Sequence, residues 1–389
     1  MEFAERYKRV PGLIFTELED RIKEQKEKGV DLVSLSIGDP DLDPPEFFVK
    51  ALKEEISKPN NHKYSVSKGE EEYRESVSEW YDNRFDVDLD HKKEIVGLIG
   101  AKEGIANVAR AFINPGDEVL VPDPAYPVYK RGSTILNGGR PVKLDLLPEN
   151  DFLPDLDKYE GTDAKMMYLN YPNNPTATVA DKDFLREAVD FAHDNEVMIC
   201  YDNCYSEITF DGYRAPSILE IEGAKEVAIE FNSFSKMFSG PGNRIGFAAG
   251  SEKLVKGLSE IKAQVDSGPP IYTQKAAARA LERFDGDGSC EYVEEVKRKY
   301  AERRDILIDR LREFGFDCKK PKATFFIWFD CSEDSMEFTE KLLEDGVLIS
   351  PGKGFSEHSE TYVRFSVTRT KQRIKKACRR IDQLWSDCQ

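Results

Sequence analysis

In FNSFSKMFSGPGNR (231–244) a lysine, Lys236, follows two serines, Ser233 and Ser235, and precedes Arg244, with Gly240, Pro241 and Gly242 between. An amine attacks a carbonyl carbon once it has lost its proton, and nearby positive charge lowers its pKa to that end. Two hydroxyls and a guanidinium, which can bond two oxygens at once, suit a phosphate. The segment therefore combines a nucleophile for an aldehyde with a grip for an oxyanion. Further candidates are scattered along the chain: Ala101 and Lys102 in GAKEG, Tyr126 in PDPAYPVY, Asn174 in YPNNPT, and Asp202 and Tyr205 in YDNCYSEI. SGPGNRIG is no dinucleotide loop, because its glycines at 240, 242 and 246 miss the GxGxxG spacing.

These residues need elements that bring them together. Between about residues 94 and 250, apolar strands alternate with amphipathic helices. The pattern predicts strands at 94–100, 118–123, 165–172, 197–202, 226–233 and 244–250, and helices at 101–113 and 181–196. Continuous apolar runs such as VMIC suit strands covered on both faces, as in a parallel α/β sheet. Open sheets of this kind bind ligands beyond the carboxyl ends of their strands, and the candidates from Ala101 to Lys236 follow such ends. Toward the C-terminus a long charged helical stretch, strands at 323–330 and 361–367 and two further helices read as a small α+β domain. The expected division is an N-terminal arm (1–34) packing with the small domain, a large domain (35–286) and a small domain (287–389), with GDGS (286–289) as the hinge. Ile14, Leu18 and Ile22, spaced four apart, give the N-terminal helix one docking face.

A carboxylate ending a buried strand is costly unless it meets a cation, and a protonated ring nitrogen would satisfy Asp202. Tyr126 offers a stacking face, and Asn174 and Tyr205 can hydrogen-bond a ring oxygen. Helix-start N–H groups at Ala101–Lys102, with the serines and Arg244, would hold phosphate. Pyridoxal 5′-phosphate meets all these demands. Taken singly the same residues have ordinary readings: a solvated lysine, a helix N-cap, packing tyrosines, a turn asparagine before Pro175. Arg364, in TYVRFSV, alternates with Val363, Phe365 and Val367 and alone would read as one side chain of a solvated strand face.

The set SFSKMFSGPGNR, YDNCYSEI, YPNNPT, PDPAYPVY and GAKEG resembles the class I/II aminotransferases among the fold-type I pyridoxal-phosphate enzymes, from SIGDPDLDPP at 36 to the final helix. The resemblance implies a large domain with a mostly parallel seven-stranded sheet between helices, plus a small α+β C-terminal domain. It implies that Lys236 attaches the cofactor and moves the substrate proton, that Asp202 holds the pyridine nitrogen, and that Asn174 and Tyr205 bind the phenolic oxygen. Tyr126 would stack on the ring, and Ser233, Ser235, Arg244 and the Ala101–Lys102 backbone would hold the phosphate. Tyr64, in HKYSVSKG, would reach the phosphate of a second subunit, making a homodimer with shared active sites. Arg364 would clamp the substrate carboxylate, with Gly38, Lys102, Tyr126 and Asn174 also facing the substrate. The implied partners are an amino acid and a 2-oxo acid.

The stretches IGAKEGIANVARAFINPGDEVLVPDPAYPVYKRG, ENDFLPDLD and SEITFDGYRAPSILE are most similar to the LL-diaminopimelate aminotransferases. Departures from that pattern concern the substrate. Leu13 in PGLIF stands where a tyrosine is usual, Asn243 replaces an aromatic, Pro241 stiffens the approach to Gly242, and Ala177 stands where glycine is common. Pro269 and Pro270 occupy a segment that would face the partner's cofactor. The amino substrate stays open between LL-diaminopimelate, with 2-oxoglutarate, and glutamate, aspartate, alanine, aromatic or unusual amino acids. A β-elimination of sulfur compounds on the same cofactor is the alternative reaction.

Bulk properties agree. With 40% hydrophobic and 33% charged residues the chain is a globular one. A net charge of −17, from 56 basic and 73 acidic residues, disfavours nucleic acid or an anionic membrane as partner. Seven cysteines without framework spacing and only four histidines point to reduced thiols and no metal site. The start MEFAERYKRV has no apolar signal core and no run is long enough to span a membrane, so a cytoplasmic location is expected.

Overall fold

A computed structural model describes residues 2–10 and 15–387 of the chain. Strand β1 (Val33–Ser34) lies outside the main sheet. That sheet is built from β2 (Ile95–Leu98), β3 (Glu118–Asp123), β4 (Arg140–Asp145), β5 (Met166–Asn170), β6 (Met198–Asp202), β7 (Ala228–Ser233) and β8 (Gly246–Gly250). Its spatial order is β2-β8-β7-β6-β5-β3-β4, and only β8 runs antiparallel to its neighbours. Every residue of β5 to β8 is buried, which is why β5, β6 and β8 read as near-continuous apolar runs, whereas β7 carries Glu230 and Asn232 within its buried length.

Successive residues feed opposite layers. Ile199 and Tyr201 join the core beneath the helices Glu71–Phe85, Lys182–Asp194 and Ile271–Leu281, with Trp80, Leu185 and Phe247. Met198 and Cys200 join the other core, against the helices Ala101–Phe112 and Glu252–Lys262, with Ile105, Val108 and Leu258. The sequence reading missed β4. RPVKLD carries a proline and three charges, and as the sheet's edge strand it has only Leu144 buried, so it shows neither an apolar run nor clean alternation.

The C-terminal part contains β9 (Phe326–Asp330), β10 (Val347–Leu348), β11 (Ser350–Pro351) and β12 (Tyr362–Ser366). Strands β11, β12 and β9 form an antiparallel sheet, while β10 pairs in parallel with β1. Val33 and Leu35 thereby enter a core with Ile327, Phe329, Leu307, Phe365, Ile374 and Ile381. The helix Phe15–Glu27 lies beside Ser335–Glu344, with an ion pair from Arg21 to Glu340 at 3.2 Å. The short helix Glu5–Lys8, by contrast, rests on Ile135–Asn137 of the main-sheet unit. Ile22 is half-buried; Ile14, Leu13 and the side chain of Leu18 lie outside the described residues. At GDGS the chain makes a closed turn, with Gly288 N–H donating to Asp285 O and Asp285 N–H to Ser289 O, both at 2.8 Å. Among the described residues no helix is long and apolar enough to cross a membrane.

Candidate active site

The carboxyl ends of β5, β6 and β7 deliver Asn170, Asp202 and Ser233 to one edge of the sheet, and Asn170 and Asp202 are register partners. There a cavity of about 300 Å³ opens, with Asp202 and Lys236 on its wall. All the candidate residues except Tyr64 line it: Gly38, Ala101, Lys102, Tyr126, Asn174, Asp202, Tyr205, Ser233, Ser235, Lys236, Arg244 and Arg364.

Lys236 sits in the single helical turn Phe234–Met237, which starts directly after β7. The Ser233 hydroxyl caps that turn by accepting the Ser235 N–H at 3.2 Å, so the first serine fixes the backbone that carries the lysine. The ammonium donates to Gly38 O at 3.0 Å and lies 5.4 Å from the Phe325 ring centroid and 5.9 Å from that of Tyr205. Burial lowers its pKa, favouring the free amine that a nucleophile needs. Gly38 is held close: a Cβ there would come within 2.4 Å of Phe326 Cζ.

Burial acts oppositely on Asp202 and raises its pKa, while hydrogen bonds from its surroundings lower it. Its Oδ2 accepts the Tyr129 O–H at 2.7 Å and its Oδ1 the Cys204 N–H at 3.2 Å. The Asn170 amide donates to the Asp202 backbone carbonyl at 2.8 Å. The acid is thus fixed in place with lone pairs left for one further donor.

Arg364 corrects the solvated-face reading of β12. Val363, Phe365 and Val367 are fully buried on one side, yet Arg364 on the other is only 7% exposed and Ser366 is buried too. That face looks onto the large unit. The guanidinium lies between the rings of Phe326 and Phe355, 4.1 and 4.5 Å from their centroids. Its Nη1 donates to Asn174 Oδ1 at 2.6 Å and its Nη2 to Ser36 O at 2.7 Å. Burial lowers its pKa to about 10, so it stays a cation at neutral pH.

Opposite stands an oxyanion cradle. Gly100 (φ 77°) caps the twelve-residue helix Ala101–Phe112, whose first N–H groups and dipole favour an anion. A Cβ on Gly100 would lie 2.7 Å from Arg244 Nη2. Arg244 itself takes the left-handed conformation (φ 50°) after the turn Pro241–Asn243 and bonds Pro241 O at 2.9 Å and Ile99 O at 3.3 Å. The Ser235 hydroxyl makes no hydrogen bond to another described residue. Free N–H groups, hydroxyl and guanidinium at one end, an amine in the middle and a carboxylate beyond fit the donor set that pyridoxal 5′-phosphate requires.

The sequence profile of "Aminotransferase class I and II" matches residues 30–381. The chain belongs to this family. The aminotransferase is 43% identical to the LL-diaminopimelate aminotransferase of Natranaerobius thermophilus over 392 residues, covering 99% of this chain and 100% of that one. It is likewise 43% identical to that of Moorella thermoacetica, covering 98% of each chain. Among solved structures, substrate-bound BacF from Bacillus subtilis superposes with a TM-score of 0.92 at 32% identity, over 99% of this chain and 98% of that one. The Thermus thermophilus aspartate aminotransferase with maleate superposes with a TM-score of 0.90 at 27% identity, over 99% and 100%. These neighbours share the fold-type I architecture that the sheet order displays.

Tyr64 does not join the site in this chain. It is 91% exposed, on a segment that also shows Val66 at 61%. Ala177 takes a left-handed conformation (φ 59°), where glycine is at ease and alanine is strained. The sequence reading also missed residues at the cavity. Tyr129, Asn170, Cys204 and Phe326 line it. Two of them had a signal: Asn170 lies near the end of the strand expected at 165–172, and Tyr129 falls three after Tyr126 in PAYPVY, one turn on. Phe326 had none, because it arrives on β9 of the separate C-terminal sheet.

Proposed function

We propose that this aminotransferase works with pyridoxal 5′-phosphate in the cavity at the strand ends, exchanging an amino group between LL-diaminopimelate and 2-oxoglutarate by a ping-pong course. The observation that carries the reading is the convergence of Lys236, Asp202, Arg364 and the Gly100–Lys102 cradle on one cavity. When bound, the cofactor supplies an aldehyde to take up the amino group and a ring to accept electrons. Lys236 holds the cofactor and, once displaced, its Nζ moves the proton at the substrate Cα. Asp202 keeps the ring nitrogen protonated, Tyr126 covers the ring, and Asn174 and Tyr205 face its phenolic oxygen. Ser233, Ser235, Arg244 and the backbone at Ala101 and Lys102 hold the phosphate. Arg364 binds the carboxylate common to donor and acceptor, beside Gly38 and Lys102. The relatives named for LL-diaminopimelate, 43% identical end to end, support that donor.

A second copy completes the site in this reading. Tyr64 and Val66 stand exposed beside the loop of Val265, itself 50% exposed. Ser67 Oγ donates to Asp266 O at 3.0 Å, and Gly268 abuts Val66 O. An apolar surface of this kind gains by being covered, and Tyr64 projecting from it can reach a neighbour's phosphate.

The deciding experiment is the visible absorption spectrum of the cofactor-loaded protein before and after LL-diaminopimelate, with no oxo acid present. Loss of the cofactor's visible band is expected. If glutamate or alanine bleaches the same sample and LL-diaminopimelate does not, the donor is wrong and the aminotransferase stands. Steady release of ammonia and pyruvate from a sulfur amino acid without an acceptor would instead establish β-elimination.

A further inference from the structure

We propose that Tyr129 is a positioning residue that keeps Asp202 ionised and aimed at the ring nitrogen of the cofactor, an inference that rests on the cavity holding pyridoxal 5′-phosphate. The two side chains meet at 2.7 Å, the phenol donating to Oδ2. Tyr129 is 1% exposed, so no solvent competes for that proton. Its ring is stacked on Tyr168, with centroids 5.1 Å apart and planes at 16°, and its edge meets Tyr126 at 6.1 Å. The Thr134 hydroxyl bonds Tyr129 O at 2.8 Å and ties down the backbone. The phenol is therefore fixed on three sides.

The local backbone is unusual in the same place. Tyr129–Thr134 is a π-helical segment, a geometry that appears mostly as short insertions and often at functional sites. Its first residue, Tyr129, meets the Asp202 carboxylate, and Tyr126, three residues earlier, lines the same cavity. The stacking ring and the partner of the acid thus lie three residues apart, Tyr126 just before the π-helical segment and Tyr129 as its first residue.

The need for such a donor follows from burial. Desolvation pushes the pKa of Asp202 up and so favours its neutral form, and a neutral acid holds a cationic ring nitrogen poorly. A hydrogen bond donated to the carboxylate favours the ionised form. The Cys204 N–H supplies one such bond, longer at 3.2 Å, and the Cys204 thiol, whose pKa is itself raised by burial, supplies no charge. The Cys204 side chain also hydrogen-bonds the acid and, with its N–H, shares in favouring the ionised form, while Tyr129 gives the short O–H bond at 2.7 Å to Oδ2. A phenol placed only for packing would need a hydrogen-bond acceptor, and nothing would direct it to this carboxylate.

The test is a double-mutant cycle on the dissociation constant of pyridoxal 5′-phosphate, measured by equilibrium dialysis of the holoenzyme. Tyr129→Phe is expected to raise that constant roughly 10- to 100-fold, the worth of a hydrogen bond to a charged group. In an Asp202→Asn background the same change is expected to cost less than about 3-fold, because the charge it serves is gone. Equal losses in both backgrounds, or no loss in the first, overturn the proposal. Should Tyr129→Phe fail to fold, 3-fluorotyrosine at this position keeps the shape and strengthens the donor. It must then move the ring-nitrogen NMR resonance of isotopically labelled bound cofactor, and an unmoved resonance also overturns the proposal. A wild-type protein that takes up no cofactor would refute the proposed function, which is a different outcome from either.

Discussion

Replacing Arg364 by lysine tests the carboxylate clamp most sharply. The change keeps a positive charge but removes the flat fork that lies between Phe326 and Phe355. A lysine has no planar group to stack on both rings, and its single nitrogen cannot bond Asn174 and Ser36 while also presenting two N–H groups to a carboxylate. At least one charge-assisted hydrogen bond to substrate is lost, about 1.5–3 kcal/mol. Each 1.4 kcal/mol is about tenfold, so kcat/KM should fall roughly 10- to 150-fold. Both half-reactions must show it by a similar factor, because amino acid and oxo acid share the carboxylate and differ at the neighbouring carbon. The assay is single-turnover reaction of the loaded enzyme with each substrate alone, followed by absorbance. An amine without a carboxylate, such as cadaverine, serves as control and should react no more slowly than with the wild type. Unchanged rates with both acids, or an equal loss with cadaverine, would refute the clamp; the second result would mean that the substitution had disturbed the whole cavity.

Three further outcomes are expected. Gly100→Ala places a methyl 2.7 Å from Arg244 Nη2 at a backbone conformation, φ 77° and ψ 150°, that glycine alone adopts readily, a clash with a strain of about 1–3 kcal/mol. Phosphate and cofactor affinity should fall roughly tenfold or more, as read by dialysis, and unaltered affinity would place the oxyanion elsewhere. Glu230, fully buried on β7, accepts from Tyr81, Asn203, Asn232, Ser217 and the Ile218 N–H, yet burial raises its pKa from 4.5 to about 7. A carboxyl raised on folding contributes stability below pH 4.5 that is lost as pH climbs through about 7, on the order of 3 kcal/mol. Denaturant unfolding of the holoenzyme at pH 5 and pH 8 should therefore show wild type losing stability relative to Glu230→Gln over that window; a constant difference would mean that the carboxyl does not titrate there. Val66→Glu puts a charge on the surface proposed to meet a second copy, and sedimentation should show dimer dissociation at least roughly tenfold easier. A wild-type monomer with full activity would contradict the shared site.

Much of this protein was determined locally. The near-continuous apolar runs of β5, β6 and β8 follow from strands buried on both faces, and a residue ending a parallel strand such as β5, β6 or β7 emerges at the sheet's carboxyl edge. Asp202, Ser233 and Lys236 were legible for that reason. So were Ala101 and Lys102, which open the helix after β2. The edge strand β4 was not, because a strand paired on one side needs no continuous apolar sequence. What sequence spacing could not supply is which groups meet across the fold. Alternation in TYVRFSV placed Arg364 opposite Val363 and Phe365, but whether that second face met water or protein depended on how the two cores dock. Its bond to Asn174 joins residues 190 apart in the chain. The Tyr129–Asp202 bond spans 73, and it brings the first residue of a π-helical segment onto the end of β6. Local pattern dictates which face of an element is apolar; the pairing of buried polar atoms is decided by packing, since each must find its partner wherever the assembled fold presents one.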